Sequence, residues 1–373
     1  MSVNLPDPKV LPLTPRSSFC PHPTCPNRGQ VGHGNIVIHS QRERRYKCTT
    51  CGKTFAATQG TVYYRKQHGH DLITLVLTLL AHGCPLQAIV IAFLLDERTV
   101  GQWARDAGAH CRQVHEHLVE TGQVSTQHVQ ADELWVKLVG AKAWQAMALA
   151  VESRLWLGGV ISAVRDQALI TRLVARVRAS VASLDVLVCV DGLRSYVVAV
   201  TRAFRVKVPR HGRRGRCRHV LAEGLQLGQV VKSHSGRRLT DVARRVVHGT
   251  AEGIRAVLQA TGTGRDIHTA YIERLNATFR GRWAGLARKS RRLARTVGLA
   301  EAGMWLVGTV YNFCTPHASL DGQTPAVAAG LVPQRWTPGE LFTYRVPLPA
   351  WVPPKSRGRP KGSKNRPKEV RGT

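Results

Sequence analysis

The architecture of this chain is built around residues 128–162, which have the sequence HVQADELWVKLVGAKAWQAMALAVESRLWLGGVIS. The stretch contains three runs typical of β-strands, at residues 128–138, 144–151 and 155–162. A turn at Gly140 follows the first run, and a polar corner follows the second. Consecutive strands joined in this way form a meander, so the pattern predicts three neighbouring strands of one sheet.

Asp132 lies inside the first run, at a position where the hydrophobic alternation would place a sheet residue. Strands rarely contain Asp unless a cation or hydrogen-bond donors stabilise its charge, so Asp132 is a candidate metal ligand. An isolated strand Asp is also common at an edge or a turn, and this alternative stays open for Asp132 alone. Its neighbour Glu133 is the weaker candidate, because successive side chains of a strand point to opposite faces of the sheet.

A second carboxylate ends a continuous apolar run, LDVLVCVDG at residues 184–192. Such a run is typical of a central strand that is covered on both faces. Asp191 stands at its end, where the loss of hydration has to be balanced, and a divalent cation can balance it. A turn or a helix N-cap is the alternative, because Gly192 and a helix-like segment come next.

Glu273 is nearly alone among cations in the segment RDIHTAYIERLNATFRGRWAGLARKSRR, residues 265–292. The spacing of apolar residues predicts one long amphipathic helix here. Its core-facing positions are Ile272, Leu275, Phe279 and Trp283. Glu273 and Arg280 are two turns apart and lie one above the other on this helix. The alternative for Glu273 is that it only forms ion pairs with the nearby arginines.

Four cysteines form two close pairs near the N-terminus: Cys20, Cys25, Cys48 and Cys51. This spacing lets tight turns present four thiolates to Zn²⁺ and predicts a zinc ribbon at residues 19–60. The wide gap in the first pair would admit His22 as a substitute ligand. Arg44 and Arg45 are candidate phosphate contacts, although a structural zinc site need not touch DNA at all.

Three helical patterns follow at residues 70–122, separated by a Gly83–Pro85 break and a short polar link. Their spacing predicts a helix-turn-helix, with Thr99, Gln102 and Arg105 on one face as candidate base readers. A plain bundle of packed helices is the alternative. Further along, the patterns predict a helix at residues 166–180 and a β-hairpin at residues 230–249.

The chain carries 54 Lys and Arg against 23 Asp and Glu, a formal net charge of +31. This excess favours nucleic acid as the partner over an anionic membrane surface. The longest apolar run, residues 72–81, is about half of what a bilayer requires, and no signal peptide precedes it. We therefore expect a cytoplasmic, nucleoid-associated protein without a membrane span.

Both termini have the composition of disordered segments, at residues 1–18 and 351–373. The second is basic and resembles an AT-hook, since its centre has the sequence RGRP. Arg357 and Arg359 are candidate contacts to the minor groove of A·T-rich DNA. A basic tail would also bind DNA without any preference for sequence.

Asp132, Asp191 and Glu273 together match the ribonuclease H-like arrangement, in which strands and a helix bring three acids to one edge. Two Mg²⁺ ions about 3.5–4 Å apart require a shared carboxylate and one flanking acid each. Such a site hydrolyses phosphodiesters and transfers 3′-hydroxyl ends. The three acids thereby predict an α/β fold with a mixed sheet and a catalytic domain at residues 126–330.

The motifs, in their order along the chain, resemble the DDE transposases of bacterial and archaeal insertion sequences, specifically the insertion-sequence-one type. The blocks that carry the resemblance are RYKCTTCGKTF, ADELWVKLVGAK, VCVDGLRSY, GQVVKSHSGRRL and HTAYIERLNATFRGRWAGLARKS, and they cover about residues 18–325. This sequence differs from the pattern of these transposases at two places. The first cysteine pair is spaced more widely than usual, and the basic tail is not a general feature of the family.

The resemblance implies a role for each matching residue. Asp132, Asp191 and Glu273 match the catalytic triad that binds Mg²⁺ or Mn²⁺, and Arg280 matches the basic residue two turns after the Glu. His268 falls where such sequences often carry a polar residue. A basic insertion is expected around residues 205–262.

The same resemblance implies the partners and the reaction, in which the enzyme binds the terminal inverted repeats of its element, hydrolyses phosphodiesters there with bound metal ions, and transfers the 3′ ends to target DNA. The expected partners are double-stranded DNA of the element ends and of the target, and further copies of the chain in a homodimer or larger synaptic complex. Two other functions stay open: a DNA-binding regulator without catalysis, and a nuclease of the same fold that cuts without joining.

Overall fold

The computed structural model describes residues 13–208, 216–236, 238–286 and 294–353. The chain divides into two compact units. The described part of the larger unit runs from Gly60 to Val346, and that of the smaller unit comprises residues 13–59 and 347–353. Arg357 and Arg359, and most of the predicted basic tail, lie outside the described residues.

The smaller unit contains an antiparallel three-stranded sheet in the order β1-β2-β3. Its strands are β1 (Ile36–Ser40), β2 (Arg45–Cys48) and β3 (Thr54–Ala56). The small core consists of three of the four paired cysteines with Ile36, Tyr46, Phe55 and Ala57. Residues 13–18 belong to the segment predicted to be disordered, but they instead include a 3₁₀ turn at Pro15–Ser17, and the Thr14 N–H donates to the Tyr46 hydroxyl.

The larger unit begins with three helices, as the sequence predicts for residues 70–122. They are α1 (His70–Ala81), α2 (Leu86–Phe93) and α3 (Glu97–His115), and α3 continues into a π-helical turn at Glu116–Glu120. Asp96 begins α3, because its Oδ1 accepts the Thr99 N–H at 3.0 Å and satisfies a donor that the first turn leaves open. Thr99 is therefore part of a helix cap as well as a surface residue.

A mixed six-stranded sheet follows, in the order β11-β10-β7-β4-β5-β6. The predicted meander is confirmed as β4 (His128–Leu138), β5 (Ala141–Ala150) and β6 (Leu155–Ser162). The remaining strands are β7 (Leu187–Asp191), β10 (Gln226–Ser235) and β11 (Arg238–His248). β7 pairs parallel with both β4 and β10, and β10 and β11 form the predicted hairpin.

Helices cover both faces of this sheet, and the side chains of β5 alternate between two cores. Met147 and Leu149 pack in the core that α1, α3, α7 and α8 share, whereas Ala146 and Ala148 pack in the core of α4 and α5. This two-residue period is what the pleat of a strand imposes. The sheet is consequently a buried middle layer between two helical layers.

The helices of these layers and the other short elements have the following bounds. The helices are α4 (Gln167–Ser180), α5 (Arg194–Ala203), α6 (Ala251–Ala260), α7 (Ala270–Arg282), α8 (Val297–Cys314), α9 (Pro325–Ala328) and α10 (Pro338–Thr343). A separate two-stranded sheet consists of β8 (Arg205–Val208) and β9 (Arg218–Leu221).

The helix that carries Glu273 is shorter than the sequence predicts, which corrects that expectation. Residues 265–269 precede α7, and Trp283 leaves the helix with an extended backbone. The Trp283 ring packs against α8, where a Cβ added at Gly303 would lie 2.1 Å from it. Residues 287–292 of the predicted helix lie outside the described residues. Tertiary packing of one aromatic ring therefore ends a helix that the spacing of apolar residues would continue.

Candidate metal centres and DNA-contact residues

The four paired cysteines of the smaller unit lie together, and their Sγ atoms are all within 4.8 Å of one another. Cys20 and Cys51 are 3.7 Å apart at sulfur, and Cys25 and Cys48 are 3.8 Å apart. A tetrahedral zinc ion with bonds of about 2.3 Å places its sulfur ligands roughly 3.8 Å apart. His22 is not part of this group, so the structure selects the fourth thiol over the imidazole.

Local turns bring donors to the Cys48 thiol. Burial alone would raise the pKa of Cys48, but hydrogen bonds from the backbone N–H groups of Cys51 and Thr50 and from the thiols of Cys20 and Cys51 together outweigh it and lower the pKa to about 7. Asn35 adds a further donor, with Nδ2 at 3.3 Å from Cys48 Sγ. Such donors stabilise the thiolate form that binds zinc. Sequence spacing does not indicate Asn35, because it lies 13 residues before Cys48, just ahead of β1.

A second group of possible metal ligands lies where β4 and β7 run side by side. One carboxylate oxygen from each of Asp132, Glu133 and Asp191 lies within 4.8 Å of the others. Ala131 pairs with Val190, so Asp132 and Asp191 follow at corresponding positions of two parallel strands. The fold thereby brings together two aspartates that are separated by 59 residues of sequence.

Asp132 points toward α7. Its Oδ2 accepts a hydrogen bond from Asn276 Nδ2 at 2.8 Å, and its Oδ1 accepts the Glu133 N–H at 2.9 Å. Burial, followed by the charges of Glu133 and Asp191, raises the pKa of Asp132 to about 7. Asn276 is 2 % exposed, and its Oδ1 has no partner among the described residues. The half-buried carboxylate of Asp132 and the unpartnered oxygen of Asn276 are both groups that a hard cation would satisfy.

Glu133 points to the other face of the sheet, as the alternation of side chains predicts. Its side chain is 1 % exposed, and it contacts Arg165 and the hydroxyl of Tyr196 on α5. Burial, followed by the charge of Asp191, raises its pKa. Glu133, which the alternation of side chains makes the less likely ligand, nevertheless has a carboxylate oxygen within 4.8 Å of those of Asp132 and Asp191.

Glu273 is not a member of this group of three acids in the described part of the chain. Its Oε1 accepts hydrogen bonds from Lys232 Nζ at 2.6 Å and Thr269 Oγ1 at 2.9 Å. Burial would raise the pKa of Glu273, but the hydrogen bonds from Lys232 and Thr269 and the charge of Lys232 together outweigh it and lower the pKa. The partner is a lysine of β10 and not one of the arginines that follow Glu273 in sequence. Arg280 lies half-buried on the same helix, α7.

Gln130 on β4 forms hydrogen bonds to the start of α7. It is fully buried, and its Oε1 accepts the N–H groups of Tyr271 and Ile272 at 3.0 and 3.1 Å. Its Nε2 donates to the carbonyl of His268 at 2.9 Å. These bonds satisfy the open donors of the first helical turn and position the helix that carries Glu273 and Asn276. His268 accordingly lies at the junction between the sheet and the helix.

The candidate DNA-contact residues are differently exposed. Gln102 and Arg105 are exposed on α3, and the Gln102 Oε1 accepts both Nε and Nη2 of Arg105. Thr99, at the cap of the same helix, is half-buried. Arg44 and Arg45 are half-buried in the smaller unit, and Arg45 Nη2 donates to Thr54 at 2.8 Å. The structure thus keeps the predicted face of α3 accessible.

The structure therefore contains a mixed α/β fold, a group of four cysteines and a group of three acids, and both groups could hold metal ions. Within the described residues, every helix is too short or too polar to cross a membrane. The chain matches no family model, and it matches no curated protein.

Proposed function

We propose that this chain is a DDE-type DNA transposase that binds the terminal inverted repeats of an insertion sequence. It would hydrolyse phosphodiesters at these ends and join the 3′-hydroxyls to target DNA. The observation that carries the proposal is the pair Asp132 and Asp191, at corresponding positions of the parallel strands β4 and β7 with carboxylates within 4.8 Å. A strand order with an antiparallel meander next to parallel strands agrees with a ribonuclease H-like catalytic domain.

The donor chemistry of the acid group fits Mg²⁺ or Mn²⁺. Carboxylate oxygens are the ligands of hard cations, and the pKa values of Asp132, Glu133 and Asp191 are all raised, first by burial. When bound, two such ions would supply Lewis acidity for the attacking water or 3′-hydroxyl and for the departing oxygen. Asp132 and Asp191 would hold them, with Glu273 as the third ligand after it leaves Lys232.

The protein groups around these acids would orient them. Asn276 holds one oxygen of Asp132, and Gln130 fixes the start of the helix that carries Asn276 and Glu273. Lys232 neutralises Glu273 until a cation takes its place. Catalysis of phosphoryl transfer depends mainly on such positioning of charges, because the protein forms no covalent bond to the substrate.

The rest of the chain would supply DNA binding. The net charge of +31 favours a polyanion, and the exposed face of α3 with Gln102 and Arg105 would read base edges as part of a helix-turn-helix. The four-cysteine group would hold Zn²⁺ and stabilise a zinc ribbon that contacts phosphates. Two ends must be joined, so we expect a homodimer or a larger synaptic complex of a nucleoid-associated protein.

Purified protein with labelled DNA of the inverted repeats that flank its gene, and Mg²⁺ or Mn²⁺, tests the proposal. Wild-type protein should nick the ends and transfer them, whereas Asp191→Asn and Glu273→Gln should bind the same DNA without nicking it. Binding without nicking by the wild type would indicate a regulator, and nicking without transfer a nuclease. Cleavage at the wild-type rate by either variant would overturn the assignment of that acid.

A further inference from the structure

Arg165 lies between β6 and α4, at the edge of the acid group, and no sequence pattern singles it out. Its Nε donates to Glu133 Oε1 at 2.6 Å, and its Nη2 contacts the same oxygen and lies 3.5 Å from Asp191 Oδ2. The guanidinium also lies 5.0 Å from the centre of the Trp144 ring. The planar guanidinium of Arg165 is thus held by Glu133 and by the Trp144 ring, next to the candidate metal ligand Asp191.

Glu133 acts as an anchor for this arginine and is poorly suited to be a metal ligand itself. Its Oε1 is occupied by Arg165, and its Oε2 accepts the Tyr196 hydroxyl at 2.9 Å. Tyr196 is fully buried on α5, and the Glu133 side chain is 1 % exposed, so neither partner can turn toward solvent. A buried carboxylate with both oxygens engaged holds its cationic partner in a fixed orientation.

Arg165 is nevertheless accessible, because its side chain is 36 % exposed. In the part of the chain that the structure describes, its Nη1 donates to no group. A guanidinium presents several donors in one plane, and this geometry suits two oxygens of a phosphate. The unused donor belongs to a guanidinium 3.5 Å from Asp191, beside which a phosphodiester would bind under the proposed function.

We propose that Arg165 is a catalytic residue of the proposed reaction, held in place by Glu133. Its guanidinium binds a non-bridging oxygen of the scissile phosphate beside Asp191 and stabilises the negative charge that develops on it in the transition state. The inference rests on the proposed function, since it requires a phosphodiester in this site. It adds to the charge of the metal ions a positive charge that the protein itself supplies and holds in place.

A structural role for Arg165 is the rival, because a buried carboxylate needs a cation to neutralise it. Arg165→Gln alone would leave Glu133 unpaired and could unfold the chain. The double variant Glu133→Gln with Arg165→Gln removes both charges, keeps the shape of the side chain that accepts from Tyr196, and shortens only the half-exposed side chain at position 165. Its melting temperature and its Kd for inverted-repeat DNA should stay close to those of wild type. Arg172→Gln, an exposed arginine of α4, is the matched control for loss of one positive charge.

The decisive measurement is the single-turnover cleavage rate at saturating DNA, with Mg²⁺ varied. We expect the double variant to lose roughly 10²-fold in rate, as loss of one transition-state donor does, with an unchanged half-saturating Mg²⁺ concentration. Arg165→Lys should retain part of the rate, and Arg172→Gln all of it. A double variant that cleaves as fast as wild type would overturn the proposal. So would a rate that high Mg²⁺ restores, because Arg165 would then act through the metal ligands. If wild-type protein does not cleave, the proposed function itself fails, and this inference fails with it.

Discussion

Asn276 is the residue through which α7 touches the first aspartate. Its replacement by Ala removes a hydrogen bond from a buried amide to the half-buried carboxylate of Asp132, and we expect the free energy of unfolding to fall by about 1–3 kcal/mol. Urea unfolding monitored by circular dichroism measures this change. Thr278→Ala on the same helix is the control, because its hydroxyl only donates to the Arg274 carbonyl. An equal decrease in the free energy of unfolding in both variants would show that the hydrogen bond to Asp132 does not stabilise the fold more than an ordinary helix-surface contact.

The raised pKa of Asp132 predicts proton release when a cation binds. Burial, followed by the charges of Glu133 and Asp191, raises this pKa to about 7, so the carboxyl is mainly protonated at pH 6. A metal ligand must be deprotonated, and we expect Mn²⁺ binding to release about one proton at pH 6 and far fewer at pH 8.5. Titration calorimetry in buffers of different ionisation enthalpy measures the number. Equal release at both pH values would contradict the prediction.

The raised pKa of Asp132 also determines how the stability of the folded chain changes with pH. A raised pKa in the folded state means that the proton binds the folded chain more tightly than the unfolded chain. This contribution of Asp132 is complete below its ordinary pKa of 3.8 and is lost as pH rises to about 7. Asp132→Asn should therefore flatten the dependence of the melting temperature on pH in this window in protein without divalent cations.

Asp132 and Asp191 could be predicted because each interrupts a strand pattern that is local in sequence. Arg165 and Asn276 could not, since their importance depends on contacts with residues 32 and 144 positions away. Lys232, the partner of Glu273, could not be predicted either, because it lies on the strand β10 whereas Glu273 lies on the helix α7. Patterns within one element are visible in a sequence, whereas partners across elements require the packed fold.

Among the elements, α7 shows how a helix start is fixed from outside the helix. Gln130→Leu removes the acceptor of two N–H groups in the first turn, and we expect the amides of Tyr271 and Ile272 to lose protection. Hydrogen exchange measured by mass spectrometry should detect this loss in peptides that cover residues 270–276. Peptides of α8 are the internal control. An even loss across both helices would instead indicate global destabilisation.

The sequence predicts the meander, the central strand β7 and the β10–β11 hairpin, because alternating hydrophobic residues and continuous apolar runs mark these strands. The length of α7 does not, because the Trp283 ring against Gly303 ends the helix where amphipathic spacing continues. The strand neighbours of β7 are likewise set by tertiary packing, which places β4 on one side and β10 on the other. Local sequence thus predicts which elements form better than it predicts their ends and neighbours.

In the molecule as a whole, each unit has a core of its own, and the core of the smaller unit includes three of the four paired cysteines. Removal of zinc by a chelator should unfold residues 13–59, because little apolar surface remains to stabilise this sheet. Limited proteolysis and zinc content measure the effect. Cys51→Ser should abolish zinc retention, whereas Cys217→Ser, at an exposed cysteine outside the group, should retain about one zinc per chain. Loss of zinc in both variants would contradict the four-cysteine site.

Under the proposed function, the contact between Lys232 and Glu273 would make the cation and the DNA thermodynamically linked ligands. A phosphate that attracts Lys232 would release Glu273 for a metal ion, and a metal ion that attracts Glu273 would release Lys232 for a phosphate. Linkage requires each ligand to increase the affinity of the other by the same factor. Such a protein would have all three acids free to bind metal ions only when DNA is present, so free divalent cations in the cell would not activate it by themselves.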